Sequence, residues 1–255
     1  MIRILLVALV IIQCQSFLHK IPTTLRFNIK TLTMTSSFIT DELRPYAMKL
    51  HTREQAPREG QQKPDQTTTP VSTWAPGRKE YLHFLVDSLL VYQTFDEIVN
   101  NNDLYKTLRN TGLERAEALK KDILWMSTYD NTLIIPTTGT AGIEYATFLK
   151  EISKKNPPKF LCHFYNHYFA HTAGGRMIGK RMSDNLLNGH TLHFYQWEGE
   201  VKDLLDKTRI AIDTIAAGWN EVEKKECLEE TMATFKYGGS LMSYMRGPGK
   251  TAAAH

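Results

Sequence analysis

A length of 255 residues suffices for one well-buried domain, and 23% charged against 42% hydrophobic residues is an ordinary globular balance. The formal charge of +4 is carried by Arg3, Lys20, Arg26 and Lys30, because residues 1–40 contain no acid. The remaining body is neutral, which removes the main support for a nucleic-acid-binding surface.

The leader reads in two parts. Arg3 precedes an apolar run, Ile4 to Ile12, suited to a signal peptide and too short to span a bilayer. Cys14 and Ser16 are small enough for a cleavage site, so residues 1–16 are predicted to be the signal peptide. Residues 17–37 are basic, acid-free and rich in Thr and Ser, the chemistry of a plastid transit peptide. The two in series predict import into the plastid stroma.

Residues 38–246 then read as one domain. A helix is predicted from Phe38 to Gln55, opened near Asp41, with Leu43, Ala47 and Leu50 at helix spacing. Residues 56–77 carry Pro57, Pro64, Pro70, Pro76 and a Thr run, a composition that predicts a mobile linker. Helices are predicted over Glu80–Val99 and Glu114–Met126. A loop is expected over Asn131–Gly142 and a helix over Ile143–Lys155, stopped by Pro157 and Pro158. A long helix follows over Phe160–Leu187, then an aromatic, irregular stretch to Gly199, then helices Val201–Trp219 and Glu221–Met245. The tail 247–255 reads as disordered. Strand-like alternation is scarce and no mature membrane span is read, so the fold class is all-α, a single-domain helical bundle. Cys162 and Cys227 fall in helical patterns as buried free thiols.

The chemistry concentrates in the long helix. His163, His167 and His171 recur every fourth residue, a stripe drifting by only about 40° per step. Such spacing can chelate a metal, but di-iron bundles need carboxylates, and residues 160–179 contain none. Gly174, Gly175 and Gly179 are the stronger signal, since each glycine in a helix costs roughly 1 kcal/mol relative to alanine. Two readings explain them: a large flat ligand such as a porphyrin approaching the backbone, or close helix–helix packing. A porphyrin iron needs an axial ligand, commonly a neutral imidazole, and His51 on the first helix is available.

Several motifs carry a resemblance. Met48-Lys-Leu-His-Thr52, Phe84 to Tyr92, Asn110 to Glu117, Cys162 to Asn166, Tyr168 to Gly175 and Cys227 to Thr231 together resemble the plant and algal plastid heme oxygenases, over roughly Ser37 to Arg246. The resemblance implies heme b, as both substrate and cofactor, lying between a proximal and a distal helix. It implies His51 as the axial iron ligand and Phe164–Lys180 as the distal helix, with Gly174 and Gly175 where backbone meets the heme face. His171 would organise distal water rather than bind iron. Lys49 and Tyr165 would approach the propionate side, and Arg209, with Lys207 as a second candidate, would pair with a propionate. The implied reaction is O2-dependent opening of heme at the α-meso carbon to biliverdin IXα, CO and ferrous iron. Its electrons would come from reduced ferredoxin, a monomer is expected, and a bilin reductase is the expected downstream partner. One plant subgroup keeps the fold, lacks the proximal histidine and does not turn heme over; the presence of His51 separates this chain from it.

Overall fold

The structure, a computed structural model, describes residues 37–50 and 74–247. The leader, most of the linker, the tail beyond Gly247 and His51 lie outside the described residues. Among the described residues the regular structure is entirely helical, as the patterning predicts. None of the described helices is long and apolar enough to cross a membrane.

The first element is a π-helical segment, Phe38–Leu43, that runs into α1, Arg44–Leu50. The exposed N–H groups of its first turn are satisfied locally and from a distance. Thr40 N–H donates to Ser37 Oγ at 3.0 Å, and Ile39 N–H to Asp213 Oδ1 at 3.0 Å, while Ser37 Oγ–H donates to Asp213 Oδ2 at 2.7 Å. Phe38 then docks edge-on to Trp219, with ring centroids 5.4 Å apart. The segment leading to His51 is thereby anchored at its start, 174 residues away in sequence.

Helix α2, Arg78–Asn101, is the central element and buries Tyr81, Leu85, Tyr92 and Phe95. It packs against α3, Ala116–Tyr129, and α4, Thr140–Lys155. The start of α4 is fixed by the fully buried Asp87, whose carboxyl oxygens accept from Gly139 N–H at 2.7 Å and Gly142 N–H at 2.9 Å. Gly142 is needed for this approach, since a Cβ there would lie 3.0 Å from the Asp87 Cα. The expected loop therefore ends earlier than Gly142, and the helix begins at Thr140.

The expected role of Pro157 and Pro158 is corrected. They stand at the first positions of α5, Pro157–Ala170, rather than only stopping α4. A proline there loses nothing, because the first N–H groups of a helix have no partner in any case. Asn156 supplies the cap, accepting from Lys159 N–H at 3.1 Å. The chain continues through a π-helical segment, His171–Gly175, into α6, Arg176–Leu186. The long helix is thus widened at the Gly174-Gly175 pair.

A single-turn 3-10 helix, His193–Tyr195, crosses α3 and faces the π segment. Helix α7, Val201–Ala216, follows. The expected helix Glu221–Met245 is three pieces: α8, Glu221–Glu229; α9, Thr231–Leu241; and a 3-10 segment, Met242–Arg246. The first break falls at Glu230, which turns its side chain inward to His163 of α5. Another 3-10 segment, Asp103–Leu108, capped by Asn102, was not legible in the periodicity. Cys162 and Cys227 are buried free thiols, as expected.

Candidate active site around the widened helix

The three histidines share a spacing but not a surrounding. His163 is fully buried, with Nδ1 3.0 Å from the Tyr145 hydroxyl and Nε2 3.1 Å from Glu230 Oε1. Burial pushes its pKa down, against the pull of Glu230. Burial works to raise the Glu230 carboxyl, and the bonds from His163 and Lys159 outweigh it and leave it below the usual range. This cluster ties α5 to the break between α8 and α9.

His167, one turn on, lies among aromatic rings, with Tyr92 at 4.7 Å and Phe95 at 5.3 Å. Its Nε2 is buried with no hydrogen-bond partner, and burial lowers its pKa to about 3. His171 is buried and stacked on Phe194 at 4.0 Å. Its Nε2 lies 2.7 Å from the Phe194 carbonyl oxygen. Burial lowers its pKa to about 3, so it is neutral at physiological pH. The stripe therefore leads from the α5–α8 contact to the aromatic turn at Phe194. Among the described residues no three His, Cys, Asp or Glu side chains converge as a metal site.

A neighbouring face of the same helix, three residues on from His167 and His171, is bare. Ala170 is exposed, and a Cβ built on Gly174 would meet nothing within 4 Å. Over this turn the helix presents little beyond backbone, and half-buried Asn166 and Met177 stand at either end. The other two glycines do different work. A Cβ on Gly175 would stand 2.5 Å from His171 Nδ1, and one on Gly179 would stand 2.5 Å from the Tyr195 ring. So Gly179 serves packing, Gly175 leaves room for an imidazole, and Gly174 leaves room for something outside the fold. That bare strip leaves the backbone of this turn open to close approach from outside.

The expected acid-binding residues are dispersed. Tyr165 is buried with its ring 4.4 Å from Phe169, and the Arg209 guanidinium lies 5.2 Å over the same Phe169 ring. Arg209 also donates to Asp206 at 2.5 Å. Tyr165 and Arg209 are thus brought to one corner through Phe169. Lys207 is two residues from Arg209, about 200° around the helix, and donates instead to the Asn110 carbonyl at 2.5 Å. Lys49 is exposed at the end of α1, the last turn before His51.

The sequence reading missed what holds the Phe194 turn. Asp122, fully buried on α3, accepts from Phe194 N–H at 2.7 Å and His193 N–H at 2.9 Å. Arg115 donates to the carbonyl of Gln196, and its guanidinium lies 4.9 Å over the Trp197 ring. The available signal was an acid in the inward register of α3, among Leu119, Ile123 and Met126.

The heme oxygenase family model matches residues 67–243. The chain is 46% identical over 207 residues to heme oxygenase 1, chloroplastic, of Oryza sativa subsp. japonica, covering 80% of this chain and 70% of the relative. It is 42% identical over 204 residues to heme oxygenase 1, chloroplastic, of Arabidopsis thaliana, covering 79% and 72% respectively. It is also 40% identical over 172 residues to a probable inactive heme oxygenase 2, chloroplastic, of Arabidopsis thaliana, covering 67% and 57%. With the family model spanning most of the chain and such identities over four-fifths of it, this all-helical protein belongs to the heme oxygenase family.

Proposed function

We propose that the chain is a plastid heme oxygenase that opens heme at the α-meso carbon to biliverdin IXα, CO and ferrous iron. The observation that carries the reading is the bare strip at Ala170 and Gly174, where the helix surface bears nothing larger than an exposed methyl and a Cβ added at Gly174 meets open space. Bound heme supplies the iron at which O2 is reduced and is itself the molecule that is opened. His51, immediately after α1 in sequence, would bind the heme iron, where a neutral imidazole would avoid the electron push that a thiolate gives. Gly174 lets the porphyrin face lie against the helix. Gly175 keeps the His171 ring in place, and His171 holds distal water by a hydrogen bond without acting as a strong acid.

Arg209, Tyr165 and Lys49 hold the propionates, whereas Lys207, about 200° from Arg209 on α7 and bonded to the Asn110 carbonyl, stands on another face. A bidentate guanidinium–carboxylate pair fixes which porphyrin edge faces inward. Arg209 must exchange Asp206 for the propionate, and that surface pair is a weak competitor. Electrons come from reduced ferredoxin, an acidic protein steered by cationic side chains in a salt-dependent way. Plastid import is supported by the acid-free leader and by relatives whose names place them in the chloroplast. His51 favours this reading over the inactive relatives, to which identity is lower and covers less of the chain.

The test mixes the purified chain with hemin, ferredoxin, its reductase and NADPH in air. The Soret band is expected to decay while bilin absorbance rises, with biliverdin IXα as the extracted product. An intact Soret band with no bilin defeats the enzyme reading and leaves a heme-binding protein.

A further inference from the structure

We propose that Asp122 is a positioning residue which, through the Phe194 turn, fixes His171 as the tautomer protonated on Nε2 and presents an unprotonated Nδ1 on the glycine side of the ring. A carbonyl oxygen only accepts, so at 2.7 Å from the Phe194 carbonyl the His171 Nε2 must carry the proton. In a neutral ring the other nitrogen then has a lone pair. That nitrogen is the atom against the Gly175 backbone, where a Cβ would stand 2.5 Å away. The chemistry of the ring toward the helix is therefore decided by where one carbonyl is held.

That carbonyl is held by Asp122. Residues 190–199 contain little regular structure beyond the turn His193–Tyr195; Gln196 braces it by donating to the Thr191 carbonyl at 2.8 Å and Tyr195 by its hydroxyl 3.1 Å from that of Tyr81, while Asp122 is the anchor that takes the Phe194 N–H itself. The Asp122 carboxyl, fully buried, accepts from Phe194 N–H through Oδ2 and from His193 N–H through Oδ1, with His193 Nδ1 also 3.0 Å from Oδ1. A buried carboxyl group on the core face of a helix is costly unless its oxygens are used, and here both are. Arg115 grips the far end of the same stretch at Gln196 and Trp197. Trp197 in turn lies 5.2 Å from the His171 ring. The carboxyl group, the turn, the carbonyl and the imidazole form one chain of contacts that ends against the Gly175 backbone, in the helix that carries the bare strip. The catalytic consequence rests on the heme oxygenase reading; the tautomer does not.

Nitrogen-15 NMR of the apo chain, labelled at histidine, measures the tautomer directly. His171 in the wild type is expected to show one protonated Nε2 and one unprotonated Nδ1 at neutral pH. Asp122→Asn replaces one acceptor oxygen by an NH2 group that faces a backbone N–H. The variant is expected to lose the single tautomer, seen as averaged or exchange-broadened nitrogen signals. Its kcat should fall by about tenfold or more at a nearly unchanged KM for hemin, the scale of disturbing an orienting partner. Should Asp122→Asn not fold, His193→Ala removes a half-exposed partner of the same carboxyl group and is expected to shift the His171 signals in the same direction, by less. A wild-type ring protonated on Nδ1 overturns the proposal. So does a folded Asp122→Asn with unchanged His171 signals, even at a lowered melting temperature, because that is a scaffolding role only. A confirmed tautomer with no bilin formed would fault the enzyme reading instead.

Discussion

His51→Ala is expected to abolish histidine-ligated five-coordinate heme and reduce bilin formation to that of hemin without protein. The size of the effect follows from the lack of a substitute on the long helix. His163 has both nitrogens engaged, by Tyr145 and Glu230, and His171 has Nε2 on the Phe194 carbonyl. His167 Nε2 is sealed among Tyr92, Phe95 and Tyr145. None can reach an iron on the bare side without breaking the core. His171→Ala provides the contrast, since heme ligation should persist while turnover falls. Absorption and resonance Raman spectra of the two variants decide the matter, and a histidine-ligated spectrum in His51→Ala would assign the iron to another residue.

Gly174→Ala is expected to move stability and heme affinity in opposite directions. In the apo chain the new methyl meets nothing, so the substitution should recover part of the helix cost of glycine, about 0.5–1 kcal/mol. That corresponds to a melting temperature higher by about 1–4 °C. The same methyl stands where the porphyrin face is proposed to lie, and inserting a methyl into a packed contact costs about 1–3 kcal/mol. Hemin affinity should therefore fall roughly fivefold to a hundredfold. Gly175→Ala should behave differently, because its methyl would strike the His171 ring at 2.5 Å and lower the stability of the apo chain. A Gly174→Ala protein that binds hemin as tightly as the wild type would remove the strip from the heme site.

The helical architecture was legible because burial in a bundle imposes a 3.6-residue period, and that period survives in α2, α3, α5 and α7. Ends were harder to read, since they depend on single groups. Pro157 opens a helix instead of only closing one, because Asn156 caps it. The break at Glu230 reflects a bond to His163 that lies 67 residues away. The glycines were legible as a group, but their roles separate only in three dimensions, where Gly174 meets space, Gly175 an imidazole and Gly179 a tyrosine ring. Likewise, the histidine spacing is real while its metal implication is not supported, because aromatic packing and a backbone carbonyl take the nitrogens. Asp122 could have been suspected from its register, yet its connection to His171 runs through a backbone atom of Phe194, and a sequence does not display where a carbonyl points.

The central claim is that heme lies on the bare strip between Ala170 and Gly174. Hydrogen–deuterium exchange of the apo chain with and without stoichiometric hemin tests it most directly. New protection is expected across residues 166–177 together with the segment around His51. Protection confined to other helices, with the exchange of residues 166–177 unchanged, would contradict it.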